Sequence, residues 1–392
     1  NNSKDYYTRS LKIHKEIGDK RGVSRNLGNI GNIHRDQGDL AKAIEYQTRS
    51  LKIAEEMEDE NGVAKSLISL GQIYSDQGEF AKSIDSYTRS LNMFEELGDN
   101  RGISICLNNV GSIYADQGDY VKAIDYYSRS LKIYEEMGDK AGIAGCLANI
   151  GIVNYDQGKN VKSIEYYTRC LISFEELNDK SSIAQVLNLI GNSYLDQGEF
   201  KKSIDNYTRS LKIREDIGEK GGISICLNNI GNVYSDQGNF AKAIEYYTKS
   251  LTLKEEFGYK AGIAFSLGNI GNLYYKQGNY TKALEKFTKA LSIAQEIGDV
   301  EAIRLVSDNL WQTYKKLGKH SQALEIYELY IEMRDSILSI ENKEAIIQQE
   351  FKYEYEKQAA VDSVANAKER AIKEETIKRQ TLIEVKRKPS KT

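Results

Sequence analysis

A single pattern returns every forty residues along most of this chain of 392 amino acids. Positions forty residues apart are called a column below. The glycine column comprises Gly31, Gly71, Gly111, Gly151, Gly191, Gly231 and Gly271, and a leucine column comprises Leu11, Leu51, Leu91, Leu131, Leu171, Leu211, Leu251 and Leu291. Self-similarity at a period of this length predicts a solenoid, in which each unit packs only against its neighbours and no single central core forms.

Each copy contains two amphipathic segments. The first, called helix A, is predicted in one copy by apolar residues at spacings of four, three and four: Ile103, Leu107, Val110 and Tyr114. Apolar residues from Tyr120 to Tyr134 predict a second helix, called helix B. Gly118 suits the left-handed residue that ends helix A, and Asp119 suits the N-cap of helix B. Each unit is therefore predicted to be a helical hairpin.

The glycine column indicates where the two helices of a unit meet. A glycine inside a helix costs about 1 kcal/mol relative to alanine, so its recurrence predicts a close contact. Helix B carries small residues in the column Ala43, Ser83, Ala123, Ser163, Ser203, Ala243, Ala283 and Ala323. We expect a tyrosine column of helix B to lie in the core: Tyr87, Tyr127, Tyr167, Tyr207 and Tyr247.

The spacing of several of these residues resembles a known repeat. They are Leu107, Gly111, Tyr114, Gly118, Ala123, Tyr127 and Ser130, which stand at the spacings of the tetratricopeptide repeat. The forty-residue form most resembles the repeats of Leu-Gly-Asn-type adaptors. The resemblance implies an all-α fold, a right-handed superhelical solenoid of antiparallel helix pairs over residues 1–338, with a partial unit at 1–17 followed by eight pairs. For function it implies a peptide or protein bound in a groove.

Composition and motifs argue against several other functions. The net charge of −3 gives no reason to expect a nucleic acid partner, and no apolar run approaches the length of a membrane span. Metal-binding and phosphate-binding motifs do not occur, so we expect no enzyme, no cofactor and no metal. Three cysteines share one column and the fourth replaces a serine, which predicts buried, reduced packing residues and favours the cytoplasm.

Helix A carries polar columns opposite its packing face, those of Arg25, Asn29, Asn32 and Asp36. The resemblance places them on the concave side. Amides donate and accept hydrogen bonds, so two of these columns can hold an extended peptide backbone whatever its sequence. The candidate amides are Asn29, Asn32, Asn109, Asn149, Asn192, Asn229, Asn232, Asn269 and Asn272. The alternative is a solvated polar face, although asparagine is a poor former of helix interiors.

The Asp36 column changes sign along the chain. Its candidate ligand residues are Asp76, Asp116, Asp156, Asp196 and Asp236, followed by Lys276 and Lys316. An acidic residue in the last turn of a helix opposes the helix dipole by about 0.3 to 1 kcal/mol. One interpretation is a basic ligand along the first six units with its acidic end toward the lysines. The other is aspartate that organises the turn through local hydrogen bonds.

The two ends of the chain depart from the pattern. Trp311 stands in the glycine column, and such a departure from the pattern is expected of the last unit in a repeat array. At the other end the chain opens inside a helix B, so we expect it to be a piece of a longer protein. Residues 339–392 are predicted to form a charged helical tail, in which a ragged heptad pattern suggests a coiled coil and dimerisation. The alternative is a solvated, frayed helix.

The tail also resembles the connector that precedes a membrane span and a catalytic domain in Bacteroidetes sensor proteins. Two functions therefore remain open. One is a non-enzymatic scaffold that binds a peptide or protein segment in its groove. The other is the sensory, signal-transmitting region of a larger membrane-bound histidine kinase or nucleotide cyclase, which would be periplasmic or tethered to a membrane.

Overall fold

The computed structural model describes residues 2–340, and their secondary structure is entirely helices joined by short turns. The chain opens with an unpaired helix B, α1 (Asn2–Glu16), as expected. The helices A are α2 (Lys20–Asp36), α4 (Glu60–Asp76), α6 (Asn100–Asp116), α8 (Lys140–Asp156), α10 (Lys180–Asp196), α12 (Lys220–Asp236), α14 (Lys260–Lys276) and α16 (Val300–Lys316). The helices B are α3 (Leu40–Glu56), α5 (Phe80–Leu97), α7 (Tyr120–Met137), α9 (Asn160–Glu176), α11 (Phe200–Ile217), α13 (Phe240–Glu256), α15 (Tyr280–Ile297) and α17 (320–340).

The turns between helices follow the predicted chemistry. Gly118 adopts the left-handed conformation with φ 74°, and the Asp119 carboxylate accepts a hydrogen bond from the amide of Lys122 at 3.2 Å. A left-handed residue recurs every twenty residues, and it is glycine except at Glu58 and Asn178, both with φ 54°. Because a residue with a Cβ is strained in this conformation, the column of glycines fixes where each helix ends.

The glycine column makes room for an aromatic ring as well as for a neighbouring helix. A Cβ atom added at Gly151 would lie 2.5 Å from Cε1 of Tyr167 in the helix B of the same unit. Equivalent approaches recur from the second to the seventh unit, and the rings are buried: Tyr87, Tyr127, Tyr167, Tyr207, Tyr247 and Phe287. The predicted close contact is confirmed, and its reason is that each ring packs directly on the helix A backbone.

The eighth pair shows what happens when the glycine is replaced. Trp311 stands in the glycine column, and Tyr327 of helix B packs edge-on against its ring with centroids 5.2 Å apart. Tyr327 is consequently 40% exposed, whereas its equivalent Phe287 is fully buried. The end of the described array is therefore built differently from its middle, as expected for a terminal unit.

A second glycine column lies at the junction between units. Gly102 and Gly142 at the start of helix A lie against the rings of Phe94 and Tyr134, which come from the helix B of the preceding unit. The side chain from helix B is cationic at two later junctions, where Arg214 lies against Gly222 and Lys254 borders Gly262. At these four junctions the same position of helix B thus lies beside the glycine with different side chains.

The helices A approach one another more closely than the helices B do. Within residues 2–340, four pairs of consecutive helices A make direct contacts, α2 with α4, α4 with α6, α6 with α8 and α14 with α16, and no consecutive helices B make contacts of similar extent. In a curved stack the closer set of helices forms the inner side, so the polar columns of helix A face a concave groove. The four cysteines are free and buried, as predicted.

Candidate peptide-binding groove

The groove contains a cavity near each end. The first, of about 700 Å³, is bordered mainly by α2, α3 and α4, and its lining includes the candidate amides Asn29 and Asn32. The second, of about 850 Å³, is bordered by α12, α13, α14 and α16, and its lining includes Asn229, Asn269 and Asn272. Five of the predicted amides thus border cavities in the concave face.

The Asn32 column is tied to helix B by hydrogen bonds. The hydroxyl groups of Tyr207 and Tyr247 donate to the side-chain oxygens of Asn192 and Asn232, each at 2.6 Å. In the first unit Gln47 occupies the tyrosine column, and its Nε2 donates to Asn32 Oδ1 at 2.7 Å. These three amides therefore also serve the packing of their own units, which the sequence analysis did not anticipate.

In two units, either the tyrosine donor on helix B or the amide acceptor on helix A is replaced by an apolar residue. Ile152 replaces the amide opposite Tyr167, and the buried Tyr167 hydroxyl has no hydrogen-bond partner in the described part of the chain. In the seventh unit Phe287 replaces the tyrosine, so Asn272 has no hydroxyl to bind. The Asn272 side chain consequently makes no hydrogen bond within residues 2–340.

The Asn29 column has fewer internal partners. Asn149 Nδ2 donates to Asn108 Oδ1 of the preceding helix A at 3.1 Å, and the buried Nδ2 of Asn109 has no partner among the described residues. The side chains of Asn29, Asn229 and Asn269 likewise make no hydrogen bond in that part of the chain. Because half-buried amides favour a partner, these groups are available to a ligand in the groove.

The Asp36 column lies at one edge of the groove and is exposed throughout. Two of its members contact the preceding unit: Asp76 Oδ2 lies 3.5 Å from Arg35 Nε, and the Asp196 carboxylate accepts a hydrogen bond from the Tyr155 hydroxyl. Burial, together with this bond, raises the pKa of Tyr155 to about 12. Within residues 2–340, no aspartate of the column accepts a hydrogen bond from its own turn, so the local-turn interpretation is not supported.

Asp36 Oδ1 lies 3.6 Å from Nη2 of its neighbour Arg35, and the remaining members of the column keep their charged ends free. Asp116, Asp156 and Asp236 have no ion-pair partner among the described residues, and neither do Lys276 and Lys316. Partial desolvation raises the pKa of Asp116 above its usual value. The edge of the groove therefore offers unpaired carboxylates in the middle units and unpaired ammonium groups in the last two.

The Arg25 column changes character along the array, which the sequence analysis overlooked. Arg25 and Lys65 are exposed and charged in the first two units, whereas Ile225, Phe265 and Leu305 occupy the column in the last three. These apolar side chains are 51%, 56% and 45% exposed, and they line the second cavity. The signal was readable in the sequence, because an exposed column that becomes apolar over three consecutive units indicates a binding surface.

Other features are reported for the described residues alone. Within residues 2–340, no helix combines the length and the apolarity that a bilayer-spanning segment needs. The same residues contain no group of histidine, cysteine, aspartate and glutamate side chains arranged to hold a metal ion. The predicted tail lies outside the described residues from position 341 onward.

Comparison with known proteins gives a consistent family assignment. The tetratricopeptide repeat profile matches residues 1–56, 62–136, 103–176, 141–216, 182–256 and 262–336. No curated protein sequence matches the chain.

Solved structures share the fold at low sequence identity. A signal transduction ATPase with a tetratricopeptide repeat sensor from Pyrococcus horikoshii has a TM-score of 0.60 and 17% identity, over 86% of this chain and 54% of that one. Aspartyl phosphate phosphatase F from Bacillus subtilis has a TM-score of 0.55 and 18% identity, over 73% and 74% of the two chains. A Rap protein complexed with competence and sporulation factor has a TM-score of 0.50 and 16% identity, over 83% and 99%.

Proposed function

Because this chain belongs to the tetratricopeptide repeat family, we propose that it is a non-enzymatic scaffold that binds a peptide or protein segment along its concave groove. The observation that carries the proposal is the set of half-buried amides without internal partners, above all Asn229, Asn269 and Asn272 around one cavity. An amide left without a partner on a desolvated surface is unfavourable, and a bound main chain supplies both donors and acceptors.

The spacing of the amides indicates how the segment lies. Packed helices stand roughly 8 to 10 Å apart, and an extended chain advances about 3.3 Å per residue. Asn229 and Asn269 lie in α12 and α14, which are not among the helix pairs in close contact, so they contact main-chain groups at least about three residues apart. A helical ligand, which advances only about 1.5 Å per residue, would place side chains rather than main-chain groups against the same amides.

The charged edge of the groove supports a polarity for the ligand. Asp116, Asp156 and Asp236 favour basic side chains in the part of the segment that crosses the middle units. Lys276 and Lys316 favour an acidic side chain at the other end. The fold can hold a ligand in at least one neighbour, the Rap protein complexed with competence and sporulation factor.

A triple variant, Asn229→Ala, Asn269→Ala and Asn272→Ala, tests the proposal. Peptides are first selected for binding to the full chain from a displayed library, and affinity is then measured by fluorescence anisotropy. Each lost hydrogen bond costs about 0.5 to 1.5 kcal/mol, so we expect binding to weaken at least about tenfold. The melting temperature should not fall, because none of the three amides has an internal partner and alanine is the better helix former.

The matched control is Asn206→Ala in helix B α11, where the side chain donates only to the Lys202 carbonyl of its own helix. It should leave affinity unchanged. A peptide that binds the triple variant as tightly as the parent would show that the groove amides do not carry binding. Asn192 and Asn232 are left intact, because Tyr207 and Tyr247 depend on them.

The sensory region of a membrane-bound kinase or cyclase stays a separate prediction. It depends on residues 339–392 and on sequence that follows them, and nearly all of that tail lies outside the described residues. The same holds for dimerisation through the tail.

A further inference from the structure

The second cavity is more apolar than a groove for a polar main chain requires. Its wall includes Ile225, Phe265 and Leu305 from three successive helices A, and Phe257 and Tyr259 from the turn that precedes α14. Phe257 and Tyr259 are 40% and 53% exposed. The volume of about 850 Å³ lies within the range of roughly 300 to 1,000 Å³ found for small-molecule sites.

A buried cation borders this cavity. Lys254 is only 5% exposed, and its Nζ donates a hydrogen bond to Ser266 Oγ at 2.9 Å. Nζ also lies 5.9 Å from the centre of the Phe265 ring. An ammonium group has three donors, and Ser266 accepts one of them. No carboxylate lies within ion-pair distance of Nζ in the described part of the chain, and burial lowers the pKa of Lys254.

In the preceding unit, the buried cation at the equivalent position has a counterion. Arg214 occupies the same column as Lys254 and is also buried, at 7% exposure. Its Nη1 pairs with Glu219 Oε1 at 2.8 Å. The position equivalent to Glu219 is Tyr259, which offers no charge. A buried charge without a counterion is strongly unfavourable, so Lys254 resembles half of an ion pair whose acid is missing.

The two acids that line the cavity are engaged elsewhere. Asp299 caps α16 by accepting a hydrogen bond from the amide of Ala302 at 3.0 Å. Glu301 accepts hydrogen bonds from Arg304, including one from Nε at 2.8 Å. Neither is therefore a counterion for Lys254.

We propose that this cavity binds a small apolar molecule that carries a carboxylate, with the carboxylate on Lys254 Nζ and the apolar part against Ile225, Phe265 and Leu305. The carboxylate supplies the counterion that Glu219 supplies to Arg214. This site goes beyond peptide binding and does not depend on it, since both its charge and its apolar wall are present without a bound segment.

Isothermal titration calorimetry with a matched pair of probes tests the proposal: 4-(2-naphthyl)butyrate and 4-(2-naphthyl)butan-1-ol, which differ in the carboxylate. A charge-assisted hydrogen bond predicts that the acid binds the full chain at least about tenfold more tightly than the alcohol. Lys254→Met should abolish this preference. The control Lys249→Met, on the exposed face of the same helix where Lys249 pairs with Glu245 at 2.7 Å, should retain it.

A second variant tests the same proposal and leaves Lys254 in place. Tyr259→Glu places a carboxylate where Glu219 stands in the preceding unit, so it should pair with Lys254 and also abolish the preference for the acid. Tyr259 is exposed, and the variant should remain folded even if Lys254→Met does not. Equal binding of acid and alcohol to the parent, no binding of the acid at millimolar concentration, or a preference that survives in both variants would overturn the proposal.

Discussion

Alanine at Gly151 and at Gly145 gives a matched test of why the glycine column exists. Both glycines lie in α8, so the gain in helix propensity, about 1 kcal/mol, is common to the two substitutions. A Cβ at Gly151 would lie 2.5 Å from Cε1 and 2.6 Å from Cδ1 of Tyr167, whereas a Cβ at Gly145 would meet no atom within 4 Å. The two variants therefore differ in the contact with one ring.

The size of the difference follows from the packing. Carbon atoms in favourable contact are about 3.5 to 4.0 Å apart, so the Tyr167 ring must retreat by roughly 1 Å. Tyr167 is 1% exposed, so its ring is enclosed by other protein atoms. Overpacking of this kind costs about 1 to 3 kcal/mol. Gly145→Ala should stabilise the protein, and Gly151→Ala should be less stable than Gly145→Ala by that amount. Leucine at position 151 should destabilise the protein by a few kcal/mol.

Urea unfolding followed by circular dichroism measures the comparison. The difference between the two variants is the informative quantity, because helix propensity cancels from it. Equal stability of Gly151→Ala and Gly145→Ala would refute the argument that the ring requires glycine.

Three further predictions concern other parts of the array. Tyr167→Phe removes a buried hydroxyl that has no partner and should raise the urea midpoint, whereas Tyr207→Phe breaks the bond to Asn192 and should lower stability by about 1 kcal/mol; a loss in both variants would contradict the assignment of the unpaired hydroxyl. Burial raises the pKa of Tyr247 to about 12, above the unfolded value of about 10, because the folded state favours the neutral phenol. The stability that the neutral phenol contributes is therefore complete below about pH 10 and is lost as pH rises towards 12. Denaturation midpoints that stay constant across that window would contradict this prediction. Helix α1 is covered on one side only and leaves Ile13 exposed, as is Ile17 directly after it, so its amides should exchange with solvent faster than those of α11 and α12. Equal protection would indicate a further packing partner.

The fold could be predicted because its determinants are local and repeated. The turn at Gly118 and Asp119 depends on backbone conformation and one side-chain cap, both of which follow from residue type. The burial of the tyrosine column also followed from helical spacing. Both the tyrosine column and the glycine column are visible in the sequence. The sequence alone did not reveal that they pack on each other, because that contact depends on how two helices cross.

The candidate site was harder to predict, because its side chains have more than one use. Asn192, Asn232 and Asn272 share a column and look equivalent in the sequence, yet the first two bind tyrosine hydroxyls and the third does not, since Phe287 has none. Lys254 could not be recognised as buried, because a lysine is almost always expected in solvent. In each case a residue on another helix decides the role.

The junctions between units allow whole units to be removed. Gly102 lies against the ring of Phe94, and Gly142 lies against the ring of Tyr134. Deletion of residues 102–141 would bring Phe94 against Gly142, where a slightly larger ring already fits, and every column would keep its register. Loss of a single residue within a helix would instead rotate everything beyond it by about 100°, because a helix has 3.6 residues per turn. The array can thus shorten or lengthen in steps of forty residues, and each step changes the length of the segment that its concave face spans by at least about three residues.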